Sequence, residues 1–300
     1  MLKLKNIIQA LKNIRINFRS RNNTYIKYHL EFYTYMGEIT DDEELLNKLW
    51  CLNSIFTIQN KFVESFLEMK NEQYYSAWCL LGEVEGICNS LRKVYYSESD
   101  EFFIDFIYSY TKKFQKFFPY KLFLSPEFHV KKYRCNICGK TYNFKKNCEH
   151  EVGKLYNGKM CGKVIDECEI TSISLVDNPV QKYSVLVLED ENHYNYDLIK
   201  THISNLDSPF HRWDLEISEK LEPHSSFKDI DKKDDCPCKS GKSYEDCCLK
   251  KEGVLMPYFN VDYEMVPSSG KFENYVKFKN ALWRYFLEMI LMKCKVKSED

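Results

Sequence analysis

The sequence predicts an α+β protein that is mainly α: an N-terminal helical bundle, a small β-containing module, a cysteine knuckle and a C-terminal helix. Three observations predict it. No proline occurs before Pro119, and residues 1–118 carry apolar side chains at helical spacing almost throughout. Two runs rich in β-branched and apolar residues, 170–176 and 183–188, flank Asp177-Asn178-Pro179 and read as a hairpin-like pair of strands. Eight of the thirteen cysteines fall in two short clusters whose spacing suits a metal ion.

The bundle is expected to start with a basic helix in which Lys3, Lys5, Lys12, Arg15 and Arg19 interleave with Leu4, Ile8, Leu11 and Ile14. Thr40-x-x-Glu43 has the form of a capping box and opens a stripe of Leu45, Leu49, Leu52, Phe56, Val63 and Phe66. Tyr74, Trp78, Leu81, Val84, Cys88, Leu91 and Tyr95 keep near-heptad spacing and share one face. A third stripe, Phe103, Ile107, Tyr110, Phe114 and Phe117, follows Ser99 with acids in its first turn. The aromatic stripes read as core, with Cys51, Cys79 and Cys88 as small hydrophobes beside them.

Beyond Pro119 and Pro126 the pattern changes. Cys135-Asn-Ile-Cys138 is followed by Cys148-Glu-His150 and then by Cys161. A C-x2-C pair closing on a C-x-H pair is the spacing of two knuckles around one zinc ion. Five ligand-type residues compete for four positions, so Cys161 is an alternative to His150. His129 reads as a surface histidine. Residues 196–206 suit a short helix, and 191–235 otherwise reads as a connector that carries the cluster Phe210-His211-Arg212-Trp213, a packed edge rather than a stacking surface for bases.

Cys236-Pro-Cys238 and Cys247-Cys248 gather four thiols within thirteen residues. Neither close pair can form an unstrained disulfide, yet all four can converge on one small ion, for which zinc is the natural candidate. Gly241 would permit the chain reversal, Tyr244 could cover the site, and Lys239 and Lys242 would offset thiolate charge. After the knuckle, Tyr275, Phe278, Leu282, Phe286, Met289 and Met292 return to helical spacing over 272–293.

Asp-Cys-Pro-Cys-x-Ser-Gly-Lys-x-Tyr-x-x-Cys-Cys, residues 235–248, resembles the SEC-C motif, the zinc-binding element first recognised at the C-terminus of the translocase ATPase SecA. The resemblance covers about 20 residues and implies Cys236, Cys238, Cys247 and Cys248 as ligands. Lys239 replaces a usual glycine, and Glu245-Asp246 places acid where the motif is often basic. Upstream, the run from Tyr133 to Pro179 resembles zinc-ribbon-like segments of uncharacterised bacterial and prophage-type proteins. That resemblance supplies architecture and not chemistry; the first ligand set, Cys135, Cys138, Cys148 and His150, follows from the spacing. Together they imply a helical bundle over 1–128, a zinc-ribbon-like β module over 129–190, a connector over 191–233, a SEC-C knuckle over 234–251 and a C-terminal segment over 252–300 with one helix. About two zinc ions per chain are expected. SEC-C elements imply docking to a protein partner rather than a particular reaction.

Bulk properties narrow the function. At 300 residues and 44% hydrophobic the chain can bury sizeable cores. An odd cysteine count without a secretory signal points to reducing cytoplasm, and the longest uncharged runs are too short to span a membrane. A net charge of −1 argues against a general polyanion binder, although residues 1–30 hold seven Lys or Arg and no acid, which leaves nucleic acid or anionic lipid open for the N-terminus. There is no Walker loop, dinucleotide glycine turn, nucleophile elbow, zinc-deaminase signature or second metalloprotease histidine, and no small-molecule substrate is indicated. The expected function is a zinc-binding adaptor. The alternative is a nucleic-acid-acting enzyme of a mobile-element or defence context whose active site the sequence does not identify.

Overall fold

The computed structural model describes residues 4–142, 148–186, 194–234, 236–238 and 242–264. The expected helix over 272–293 and the residues Lys3, Lys239 and Gly241 lie outside these. The fold is α+β and mainly α. The chain forms two compact units, one of residues 1–116 with 120–186 and one of 117–119 with 187–300.

The first unit is built on six helices: α1 (Leu4–Lys12), α2 (Ile14–Asn17), α3 (Asn23–Thr40), α4 (Glu43–Lys70), α5 (Tyr74–Leu91) and α6 (Ile104–Gln115). Leu11, Ile14, Leu49, Leu81, Val84, Cys88, Leu91, Ile107 and Phe114 of the predicted stripes are fully buried in the core, joined by Ile7, Leu30, Ile55 and Phe62 from outside them, while Ile8, Leu45, Val63, Tyr95 and Phe103 are only partly buried. The basic helix spends its apolar face on this core, and Lys12 pairs with Glu101 at 2.5 Å. That face is therefore not available to lipid. Two expected helix starts shift. Asp42, not Thr40, caps α4: its carboxylate accepts from the Leu45 N–H at 2.9 Å, while the Thr40 hydroxyl donates to Met36 within α3. A carboxylate is the stronger acceptor and its charge complements the helix N-terminus. Likewise Asp100, rather than Ser99, accepts from the N–H groups of Asp105 and Phe106 at 3.0 Å each to open α6.

Gln59, fully buried in mid-α4, ties the bundle together. Its Nε2 donates to the carbonyls of Leu11 at 2.9 Å and Phe102 at 3.0 Å, and its Oε1 accepts from Arg21 at 2.7 Å. Arg21 also donates to Asn60 and Asn23 and lies over Phe56; burial among these neutral groups lowers its pKa to about 10.

β1 (Phe123–Cys135) pairs antiparallel with β4 (Lys163–Val176), and the short strands β2 (Leu155–Tyr156) and β3 (Lys159–Met160) make a hairpin inside that connection. Among the described residues the expected pairing of 170–176 with 183–188 is replaced: β4 pairs with β1, and Val185 bridges to Phe123, while 187 and 188 lie outside the description. Phe123 stacks on Trp78, whose Nε1 donates to the Lys182 carbonyl at 2.5 Å; these aromatic contacts with α5 favour the long-range partner.

In the second unit, α7 (Asp197–Ser204) precedes β5 (Trp213–Glu222), which pairs antiparallel with β6 (Val254–Tyr263). Phe210 and Trp213 are buried, so the aromatic cluster of the expected connector is core. His202, fully buried, stacks on Phe117 with ring centroids 4.2 Å apart, meets Trp213 edge-on and shares a 2.8 Å hydrogen bond with Tyr263.

Two predictions follow from these buried polar groups. Gln59→Leu strands the Leu11 and Phe102 carbonyls and one arm of Arg21, and should destabilise the bundle by about 3 kcal/mol in urea titrations followed by far-UV circular dichroism. A change below about 1 kcal/mol would show that water replaces the amide. For His202, burial and then the charge of His211 lower the pKa from 6.5 to about 3. The unfolded chain binds the extra proton in that window, so the contribution is complete above pH 6.5 and declines as pH falls toward 3. Stability of the second unit should drop between pH 6.5 and 5 with a slope of up to about 1.4 kcal/mol per pH unit. His202→Gln should flatten that slope, and an unchanged slope would remove the assignment.

Candidate metal centres

The first candidate centre starts where β1 ends. Cys135, its last residue, is fully buried, and a tight turn follows in which the Gly139 N–H donates to the Cys135 carbonyl at 2.9 Å. Gly139 holds φ +71°, a left-handed conformation that suits glycine. The Cys135 sulfur accepts from the Ile137 N–H at 3.4 Å. Burial raises the Cys135 pKa, but the N–H groups of Cys138 and Ile137 and the neighbouring thiols outweigh it and bring the thiol down to about 6. This backbone is arranged to hold a thiolate.

The second pair of ligands arrives on the loop before β2. Cys135, Cys138, Cys148 and His150 each place one ligand atom so that all lie within 4.8 Å of one another. The Nδ1 of His150 is buried and has no hydrogen-bond partner among the described residues, which suits a nitrogen that ligates a cation. Its ring rests edge-on against Tyr156, whose hydroxyl in turn accepts from the Glu151 N–H at 3.0 Å. Cys161 stands beside this set: buried, with its sulfur 3.9 Å from that of Cys135, it also closes the loop through the Gly153 N–H to Cys161 carbonyl bond of 2.8 Å.

What positions this loop was not read from the sequence. Asn157-Gly158 makes the β2–β3 turn with φ of 46° and 70°, and its N–H groups reach the start of α4: Asn157 to Glu43 at 3.2 Å and Gly158 to Asn47 at 2.8 Å. An Asn-Gly pair between short strands is the signal that would have found it. A Cβ on Gly158 would lie 3.1 Å from the Leu46 carbonyl oxygen, so the hairpin seats against α4 only with glycine there.

The second candidate centre lies under the β5–β6 ribbon. The sulfurs of Cys236, Cys238, Cys247 and Cys248 lie within 4.8 Å of one another, with Cys238 to Cys247 at 3.4 Å. The Cys236 N–H donates to the Lys242 carbonyl at 2.8 Å and the Tyr244 N–H to Asp234 at 2.7 Å, closing the loop on itself. Cys236, Tyr244 and Cys248 form a small core with Val254 and Met256, flanked by Phe227, Ile230 and Leu249. Tyr244 does cover the thiols, and its hydroxyl is held by His224: Nε2–H donates to the Lys251 carbonyl at 2.8 Å, so in the neutral ring Nδ1 accepts from Tyr244 at 2.6 Å. Burial pushes the Cys236 and Cys248 thiols up. A cation that displaces their protons reverses that penalty.

Both quartets have the donor chemistry for one metal ion each. A shallow groove of about 380 Å³ between α4 and α5, lined by Trp50, Asn53, Ser54, Thr57, Gly86, Ile87 and Ser90, carries no acid, base or thiol. No described helix is long and apolar enough to cross a membrane. Comparisons with protein-family models, with curated proteins and with solved structures return no match.

The geometry ranks the competing ligands. His150→Ala should lower metal retention of the first centre by about tenfold or more in a chelator competition, while Cys161→Ala should act mainly by loosening the loop and be milder. The reverse ranking would make Cys161 the ligand.

Proposed function

We propose that the chain is a cytoplasmic zinc-binding adaptor, with one structural Zn²⁺ in each quartet and a SEC-C-like knuckle that docks a protein partner. The observation that carries the proposal is the closure of both centres: each supplies four protein ligand atoms within 4.8 Å of one another, a number that fills a tetrahedral zinc shell and leaves no position for a substrate or reacting water. When bound, zinc supplies charge neutralisation and a cross-link. This chain's own residues do the rest: Tyr156 orients His150, and His224 fixes Tyr244 over the thiols. The knuckle's outer surface is ordered by the same contacts, with Ser243 donating to Asp246 at 3.0 Å and Lys250 pairing with Asp246 at 3.1 Å. Hydrogen bonds from Lys250 and Ser243 lower the Asp246 pKa, so this exposed face keeps alternating charges at neutral pH.

The test joins metal content to docking. Elemental analysis of protein purified without added metal should find about two zinc ions per chain, and the double variant Cys236→Ser, Cys238→Ser should keep about one. That variant should retain the helical circular dichroism of the bundle and lose capture of the partner that the wild-type protein binds. A variant that keeps every partner would make the knuckle a staple and remove the adaptor assignment.

A further inference from the structure

The β1–β4 ribbon carries an apolar ladder on a face that the described structure leaves exposed. Along β1 the residues of one face are Leu124, Pro126, Phe128 and Val130, and their cross-strand partners are Leu175, Ile173, Ile170 and Cys168. A bulge between Glu127 and Phe128 keeps this alternation in phase, with Thr171 and Ser172 turned to Glu127 on the opposite face. That opposite face is polar, pairing Ser125 with Ser174 and His129 with Glu169. Both faces of the ribbon are open to water, so the apolar side is exposed along with the polar one. Ile170 is 63% exposed, Ile173 64%, Phe128 47%, Leu175 41% and Leu124 39%.

We infer that this ladder is a homodimer interface, covered by the same ladder of a second copy of this chain. Area comes first. The five large side chains expose about 450 Å² together, the size of the largest apolar patch on a typical monomer. Two copies would remove about 900 Å² from these residues alone, and Pro126, Val130, Cys168 and a polar rim bring the total into the range of about 1,200–2,000 Å² that stable interfaces bury. Charge comes second. No ionisable cation or carboxylate lies on the ladder, so two copies face each other without burying an unpaired charge. On the rest of the ribbon Glu169 pairs with Lys131 and Asp166 with Arg134, and acids and bases balance, so no net positive charge draws anionic lipid or nucleic acid to it. Symmetry comes third. A two-fold axis parallel to the strands lays β1 of one copy over β4 of the other, setting Leu124 on Leu175, Pro126 on Ile173 and Phe128 on Ile170 in an aligned sheet-on-sheet packing. The contact also supplies what a two-stranded ribbon lacks by itself, a third layer against its hydrophobic face.

The inference is independent of the metal's identity and of the adaptor reading. It is tested on the full metal-loaded chain by sedimentation velocity across a dilution series. The expected species at micromolar concentration is a dimer of twice 35.9 kDa, and Ile170→Glu with Ile173→Glu should convert it to monomer with metal content and helical signal unchanged. Because both substitutions are on exposed positions, folding should be preserved; Ile173→Lys alone gives a second variant if it is not. A separate readout needs no variant: alkylation of Cys168, mapped by peptide mass, should be several-fold slower in the dimer and speed up on dilution. A wild-type monomer at every concentration, a dimer indifferent to the substitutions, or a Cys168 rate independent of concentration overturns the inference. A monomer that uses the same face for a different protein overturns the choice of a second copy.

Discussion

Four ligand atoms within 4.8 Å of one another impose the constraint on which both cysteine-bearing regions depend. Thiolates held that close repel and buried thiols resist ionisation: without a cation, backbone N–H groups at the upstream centre favour one thiolate, Cys135, whereas the knuckle's buried thiols favour their protonated form. Burial already pushes Cys236 and Cys248 in that direction. The cost is not confined to the ligands. Cys236, Tyr244 and Cys248 are themselves core residues against Val254 and Met256, so the base of the β5–β6 ribbon is as apolar as its thiols are neutralised. A region this small has little other apolar area with which to hold its loop.

The two centres are scaffolded differently. The knuckle of 236–248 is local: its ligands lie within thirteen residues and its backbone bonds close on the same segment. The upstream centre draws on the bundle, since the hairpin that follows His150 is hydrogen-bonded to Glu43 and Asn47 of α4. Strain or loss of ligand there acts on the first turns of the longest described helix. Gln59 performs the complementary task further along α4, holding the end of α1 and the approach to α6 through one buried amide.

This contrast explains what the sequence made legible. Ligand quartets with short spacing are local facts, and the eight residues Cys135, Cys138, Cys148, His150, Cys236, Cys238, Cys247 and Cys248 could be picked from composition and spacing alone. Apolar stripes such as Leu49, Leu52, Phe56 and Phe66 were equally legible because helical period and burial coincide. Helix α3 was harder to resolve: Tyr25, Tyr28, Tyr35 and Ile39 remain exposed, so its apolar residues do not mark one buried face. The caps were misplaced by a few residues, because Thr40 and Ser99 compete with carboxylates that accept more strongly. Strand pairing was missed for a different reason. The near partner 183–188 satisfies local pattern, whereas the actual partner of β4 lies some forty residues upstream and is selected by Phe123 on Trp78, a contact no window of sequence displays.

The β1–β4 ribbon is fastened at its two ends by unlike means. Phe123 is held by stacking on Trp78, and Cys135, twelve residues on, is held by a thiol cluster. Between them lie three irregularities of register, where an extra residue on one strand interrupts the ladder and sharpens its twist. Since side chains alternate, a one-residue slip of β4 past β1 would carry Ile170 and Ile173 to the side of Glu127 and His129 and split the apolar ladder between the two faces. A cation held at the Cys135 end would thus act as a phase lock: by pinning one terminus of a two-residue repeat, it would keep the apolar residues of both strands on one face.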